Sequence, residues 1–202
     1  MSDLRVEFWR NARDWPRDSS KFVFLARVVQ MIGNRLFPGQ WTGLEPQIKL
    51  LPKIPEGNDS DIISNYTVKK LLGPKPFYDD DEPKTVFGWS AGARFRVSDE
   101  ERAKAQMLVA KDHAEKRPGL RRFAAVKQRI ISLAEEGRLV TAVRALAGGE
   151  FSELPSSYWN AENLERRFAL CQMKFDKPFG PAAGGESFCW IFVSKASLER
   201  SI

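Results

Sequence analysis

"RPGLRRFAAVKQRIISLAEEGRLVTAVRALAGGEF", residues 117–151, decides how the chain is read. Its opening Arg117-Pro118-Gly119 has the form of a break. Proline carries no amide hydrogen, and it pushes the residue before it out of the helical region. Beyond the break, Phe123, Val126, Ile130 and Leu133 recur at spacings of three and four. That period predicts a helix from Leu120 to about Glu136 with one apolar face. Gly137 stands where a left-handed residue ends such a helix. "RLVTAVRAL" is β-branched enough for a strand, and Ala147-Gly148-Gly149-Glu150 reads as a turn. "EFSELPSSYW" returns as an irregular strand whose pairing Pro155 limits.

Working upstream, "SDEE" at Ser98 to Glu101 has the capping-box form: a serine oxygen for the third amide and a glutamate reaching back. It predicts a first helix, running to about Lys116. Downstream, "ERRFALCQMKFD" and "SFCWIFVS" read as the two best strands, joined by the loose hairpin "KPFGPAAGGE". "SKASLERSI" reads as a last helical turn. In the first half, "DSSKFVFLARVVQMIGNRLF" predicts a mostly buried helix. Asp18, Ser19 or Ser20 would cap it, its polar stripe is narrow (Arg27, Gln30, Asn34), Gly33 is a blemish, and Pro38-Gly39 stops it. Asp61 to Leu72 predicts another helix, closed by Gly73-Pro74. A short hairpin is expected around Ser90 to Gly92. Residues 38–83 hold seven of the twelve prolines and read as a linker or an ordered loop with one short helical turn. The continuing apolar residues Trp41, Leu50, Leu51 and Ile54 favour the ordered version.

These elements give an α+β fold of four or five helices. The helix pair 98–136 packs on a small, mostly antiparallel sheet from the C-terminal third. Helix, helix and then hairpin is also the order of a winged helix-turn-helix, so the C-terminal half is expected to be winged-helix-like. The chain divides into a helical, loop-rich part (1–97) and a helix-helix-β part (98–202), or forms one continuous domain.

Composition narrows the function classes. The chain has 202 residues, 43% of them hydrophobic, enough for a real core. No apolar run approaches the roughly 20 residues of a membrane span. "MSDLRVEFWRNARDW" lacks the apolar centre of a secretory signal, so a soluble, cytoplasmic protein is expected. Cys171 and Cys189 lie in apolar runs and read as buried, reduced thiols. No C-x-x-C is present, so no zinc site is expected.

Catalytic constellations are hard to find. His113 is the single histidine and reads as a surface residue among Lys111, Lys116 and Arg117. Histidine-dependent nucleophilic catalysis needs an imidazole held beside a nucleophile. Asp79, Asp80, Asp81 and Glu82 form the one carboxylate cluster, but they lack EF-hand spacing and read as a solvated loop. The glycines at "GWSAGAR", "AGGE" and "PAAGGE" match neither the phosphate-binding loop nor the dinucleotide fingerprint. No catalytic residue, metal site or cofactor is therefore expected, and an enzyme reading rests on Asp79 to Glu82 alone.

The excess charge is more informative. Between Glu101 and Arg129, nine lysines and arginines meet three acids, a surplus of six that equals the net charge of the whole chain. Such a segment concentrates polyanions. The leading expectation is a non-enzymatic nucleic-acid-associated protein, a regulator or mobile-element accessory factor. Arg121, Arg122, Lys127, Gln128 and Arg129 would make the contacts on the second helix. Lys104, Lys111, Lys116 and Arg117 would form a phosphate-facing flank, with Gly148 and Gly149 at the tip of the wing. The alternative is an adaptor or inhibitor that binds an acidic protein partner. It would use the same cations or the N-terminal segment around Trp9, unless that segment folds back on the body.

The runs "RLFPGQWTG", "EEGRL", "GGEFSELPSSYW" and "WIFVSKASLER" resemble stretches of a loose group of small bacterial proteins without an assigned activity. The resemblance is scattered over most of the chain. It implies a small cytoplasmic α+β protein and carries no site residues.

Overall fold

The structure, a computed structural model, describes residues 4–55, 62–73, 97–160, 164–175 and 187–201. Among these the fold is α+β. The helices are α1 (Leu4–Arg10), α2 (Leu25–Leu36), α3 (Ile62–Leu72), α4 (Asp99–Glu135), α5 (Glu165–Leu170) and α6 (Lys195–Ser201). The strands are β1 (Phe22–Phe24), β2 (Thr141–Ala145), β3 (Ser152–Leu154), β4 (Gln172–Phe175) and β5 (Ser187–Ser194). The described residues fall into two compact units. One compact unit is Met1–Ile48 with Gly119–Ile202, and the other is Lys49–Pro118.

The first unit is built on β5. It pairs antiparallel with β2 from Thr141↔Val193 to Ala145↔Cys189. A strand has two edges, so β1 and β4 share the other one. β1 takes the C-terminal end (Phe22↔Ser194) and β4 the N-terminal end (Phe175↔Ser187). β3 closes the far side by pairing with β2, and Gly148-Gly149 make the turn between them as expected. Their φ values of 99° and 112° lie where side-chain-bearing residues are strained.

Against this sheet pack Leu25, Val28, Val29 and Ile32 of α2, and Phe123, Val126, Ile130 and Leu133 of α4. The apolar period in the sequence therefore marked the buried face correctly. Full burial of one such side chain contributes about 1.5–3 kcal/mol. Trp9 folds back on the body: it is buried, and its indole N–H donates to the carbonyls of Phe168 and Ala169 at 3.1 Å each. Trp41 and Trp159 are buried, and Trp190 is half-buried in the same core.

Three local expectations are corrected. Residues Phe22–Phe24 are a strand, and α2 starts only at Leu25. Asp18 accepts from the Phe24 amide at 2.8 Å and from Arg27 at 2.8 Å, and Ser19 accepts from the Phe22 amide at 2.9 Å. These side chains therefore brace the entry to β1 rather than cap a helix. "ERRFALCQMKFD" is half helix: α5 ends at Cys171, whose left-handed φ of 53° turns the chain into β4. Gly33 is a requirement rather than a blemish. A Cβ there would lie 2.2 Å from the Trp41 indole.

The largest correction concerns the opening stretch. α4 is one continuous helix of 37 residues with Pro118 inside it, not a helix pair joined by a turn. A proline costs an interior helix one hydrogen bond and a clash, and the surrounding turns tolerate both. A helix-turn-helix is therefore absent at residues 98–136. The α+β class stands, without the winged-helix detail.

In the second unit, the predicted capping box opens α4. The Glu101 amide donates to Ser98 Oγ at 3.1 Å, and the Ser98 amide donates to Glu101 Oε2 at 3.0 Å. Arg102 ties the helix to α3 by donating to Ser64 Oγ at 2.7 Å and Asn65 Oδ1 at 2.6 Å. The segment after Lys49 is strapped to α4: the Leu51 amide donates to Asp112 at 2.9 Å, and the Leu51 carbonyl lies 2.8 Å from His113 Nε2. His113 is thus buried, not a surface residue. Val68, Ala105 and Val109 supply the apolar contacts. The hairpin at Ser90 to Gly92, Trp89 and the carboxylates Asp79 to Glu82 lie outside the described residues.

Candidate nucleic-acid interface

Once α4 is continuous, each of its cations points 100° on from the residue before it, and the nine take different roles. Arg102 holds α3 as described. Lys116 donates to the Lys49 carbonyl at 2.8 Å and pairs with Asp112 one turn earlier. Lys111 faces Glu115 at 4.0 Å, a solvated pair. Such exposed pairs contribute about 0–1 kcal/mol. Lys127 is half-buried, with its ammonium 5.1 Å from the centre of the Phe123 ring. Lys104, Arg117, Arg121 and Arg129 are exposed and make no ion pair or hydrogen bond among the described residues. Gln128 is exposed as well.

Arg122 has the most structural role of the nine. Its Nε and Nη2 donate to Glu45 Oε1 at 3.2 and 3.1 Å. The Glu45 side chain is 1% exposed and that of Arg122 is 22% exposed. The Thr42 amide and hydroxyl complete the carboxylate's shell at 3.0–3.2 Å. Burial pushes the Glu45 carboxyl up, but the donors from Thr42, its own backbone and Arg122 outweigh that and hold it below the usual range. This is an internal ion pair between α4 and the turn Glu45–Gln47. Arg122 is thus turned inward rather than toward a ligand.

Arg129 stands elsewhere. With Arg35, Ile32 and Leu36 of α2, Leu133 of α4 and Ser201 of α6, it lines a cleft of about 250 Å³. Arg35 is exposed and likewise has no hydrogen bond or ion pair among the described residues. Sequence reasoning passed over Arg35, although Ile32, Arg35 and Leu36 fall at the i, i+3, i+4 spacing that places residues on one helix face. Arg144 was also passed over. Its guanidinium lies 5.0 and 4.9 Å from the ring centres of Phe151 and Phe192, and its Nε is buried without a hydrogen-bond partner among the described residues.

Gly148 and Gly149 form the β2–β3 tip, where an added Cβ would meet nothing within 4 Å. No hydrogen bond or ion pair joins them to the α4 cations among the described residues. The N-terminal segment is not available as a tryptophan-led docking arm, because Trp9 is in the core. Both cysteines are buried thiols outside any disulfide. Among the described residues no group of three or more His, Cys, Asp or Glu side chains is placed to hold a metal ion. Among them, too, no helix is long and apolar enough to cross a membrane. No family model, curated protein or solved structure matches the chain.

Proposed function

We propose that the protein is a non-enzymatic nucleic-acid-associated protein, a regulator or mobile-element accessory factor, that binds through exposed cations of α4. One observation carries the reading: of the nine cations between Glu101 and Arg129, Lys104, Arg117, Arg121 and Arg129 are exposed without a partner among the described residues. A guanidinium or ammonium left solvated is available to a phosphate, and a guanidinium also to a base edge. In the first unit Arg121 and Gln128 lie seven residues apart, hence on one side of the helix, with Arg129 one step round. In the second unit Lys104, Lys111 and Arg117 supply phosphate contacts of their own. Lys116 and Arg122 leave the expected set, since their charge is spent on Asp112 and Glu45. Without a recognition helix set off by a turn, this mode is electrostatic contact along a helix face.

Three phosphate contacts give a salt slope near −2.7, so affinity falls roughly 40-fold between about 50 and 200 mM salt. Fluorescence anisotropy with labelled duplex and single-stranded oligonucleotides measures this. Arg121→Ser and Arg129→Ser are each expected to reduce the slope by about one. Unchanged anisotropy at low salt with micromolar protein overturns the reading.

A further inference from the structure

We infer that the cleft between α2 and α4 receives one unstacked nucleotide of a single strand, its phosphate across Arg35 and Arg129 and its base against Ile32, Leu36 and Leu133. This deepens the nucleic-acid reading above and rests on it. Among the described residues six line the cleft, and the two charged ones are both arginines without a partner there. Two guanidinium groups on one small concavity repel each other, and no carboxylate among the described lining residues offsets that. An oxyanion removes the repulsion, and the guanidinium fork matches phosphate oxygens. The floor has different chemistry. Ile32 and Leu133 are 2% and 1% exposed, and Leu36 stands 42% exposed at the rim. A bare phosphate gains nothing from an apolar floor, whereas a flat, weakly polar base does.

The size selects further. About 250 Å³ lies just under the roughly 300–1,000 Å³ of pockets that take drug-sized ligands. One base with its phosphate is of that order. A duplex cannot offer this, because its bases stay stacked and paired unless the unstacking energy is supplied. The cleft therefore predicts a preference for single strands that the electrostatics of α4 alone would not give.

The test uses the full chain with labelled isoleucine and leucine methyl groups, titrated with an octathymidylate, a matched duplex and inorganic phosphate. The octathymidylate is expected to shift the methyls of Ile32, Leu36 and Leu133 and to bind more tightly than the duplex. Leu36→Asn, a neutral change at an exposed position, is expected to weaken octathymidylate binding about tenfold, within the range for loss of one base contact, and to leave duplex binding unchanged. Arg121→Ser is expected to weaken both. Equal binding of strand and duplex with unmoved methyls overturns this inference and leaves the nucleic-acid reading standing. Equal methyl shifts with inorganic phosphate reduce the cleft to an anion site and defeat the nucleotide assignment. Failure of both oligonucleotides to bind overturns both readings.

Discussion

Arg122→Met separates an internal cation from a ligand-facing one. The substitution keeps most of the side chain's length and removes the charge from above Glu45. Thr42 still donates to the carboxylate, but the countercharge is gone while the side chain stays 1% exposed. Breaking a fully buried pair costs about 3–5 kcal/mol. Arg122 is itself 22% exposed, so water screens part of the pair, and a loss of about 2–4 kcal/mol is expected. In a chain of this size that lowers the melting temperature by roughly 4–16 °C. Five of the six tryptophans (9, 15, 41, 159 and 190) belong to the unit that contains the pair, so urea unfolding followed by tryptophan fluorescence reads it directly. Removing both charges in Glu45→Gln/Arg122→Met should recover much of the loss, because a neutral amide left with Thr42 costs less than a lone buried carboxylate. The pH dependence has a fixed sign. Glu45 is held below its unfolded value of about 4.3, so the pair's contribution is present above that pH and lost as pH falls through the folded value. The gap between wild type and Arg122→Met should therefore narrow toward acid. A variant as stable as wild type at neutral pH, with weakened oligonucleotide binding, would refute the internal assignment and return Arg122 to the ligand-facing set.

Gly33→Ala gains helix propensity of up to about 1 kcal/mol, yet its Cβ would lie 2.2 Å from Trp41. Net destabilisation of about 1–3 kcal/mol is expected, with a red-shifted Trp41 emission as the indole is displaced from its bond to Gln30. Burial pushes the Cys171 thiol well above its ordinary value and raises Cys189 as well. Both should resist a thiol-reactive disulfide reagent in the native state and react fully in denaturant; rapid labelling without denaturant would contradict the packing of β4 on β5. In the second unit, Asp112 is raised by burial but brought below its usual range by donors from Lys116 and Leu51, and Glu101 is lowered chiefly by Lys69. Both contributions are lost as pH falls through the depressed folded values. Thermal melts should therefore be flat through neutral pH and drop below about pH 4, with Asp112→Asn removing part of that drop.

The sequence made β2, β5 and the buried face of α4 legible because those signals are local. β5 is a continuous apolar run, β2 is β-branched, and Phe123, Val126, Ile130 and Leu133 keep a helical period. What stayed hidden depended on partners far away in sequence. Arg122 reads as one more exposed cation until Glu45 is found 77 residues earlier. His113 reads as a surface residue until Leu51, 62 residues away, covers it. Gly33 reads as a defect until Trp41 lies against it. Arg35 was missed because its significance comes from Arg129 on another helix.

Pro118 shows how one local rule redirected the functional reading. Taken as a stop, it made two helices and a turn, and the hairpin that follows then completed a winged helix. Inside a continuous α4, the same residue removes one amide donor and adds a clash with the preceding turn, and beyond it the helix keeps one register from Gly119 to Glu135. That register decides which cations face inward. Arg121 and Arg122 are neighbours in sequence, but a 100° step leaves the first in solvent and turns the second onto Glu45. Seven residues later the pattern returns with Gln128 exposed, while Arg129 opens on the cleft with Arg35. The net charge of the segment is thus a poor guide to how many of its cations are left without a partner of their own. The useful quantity is the subset of cations left exposed and without an ion pair, and among the described residues of α4 it comprises Lys104, Arg117, Arg121 and Arg129.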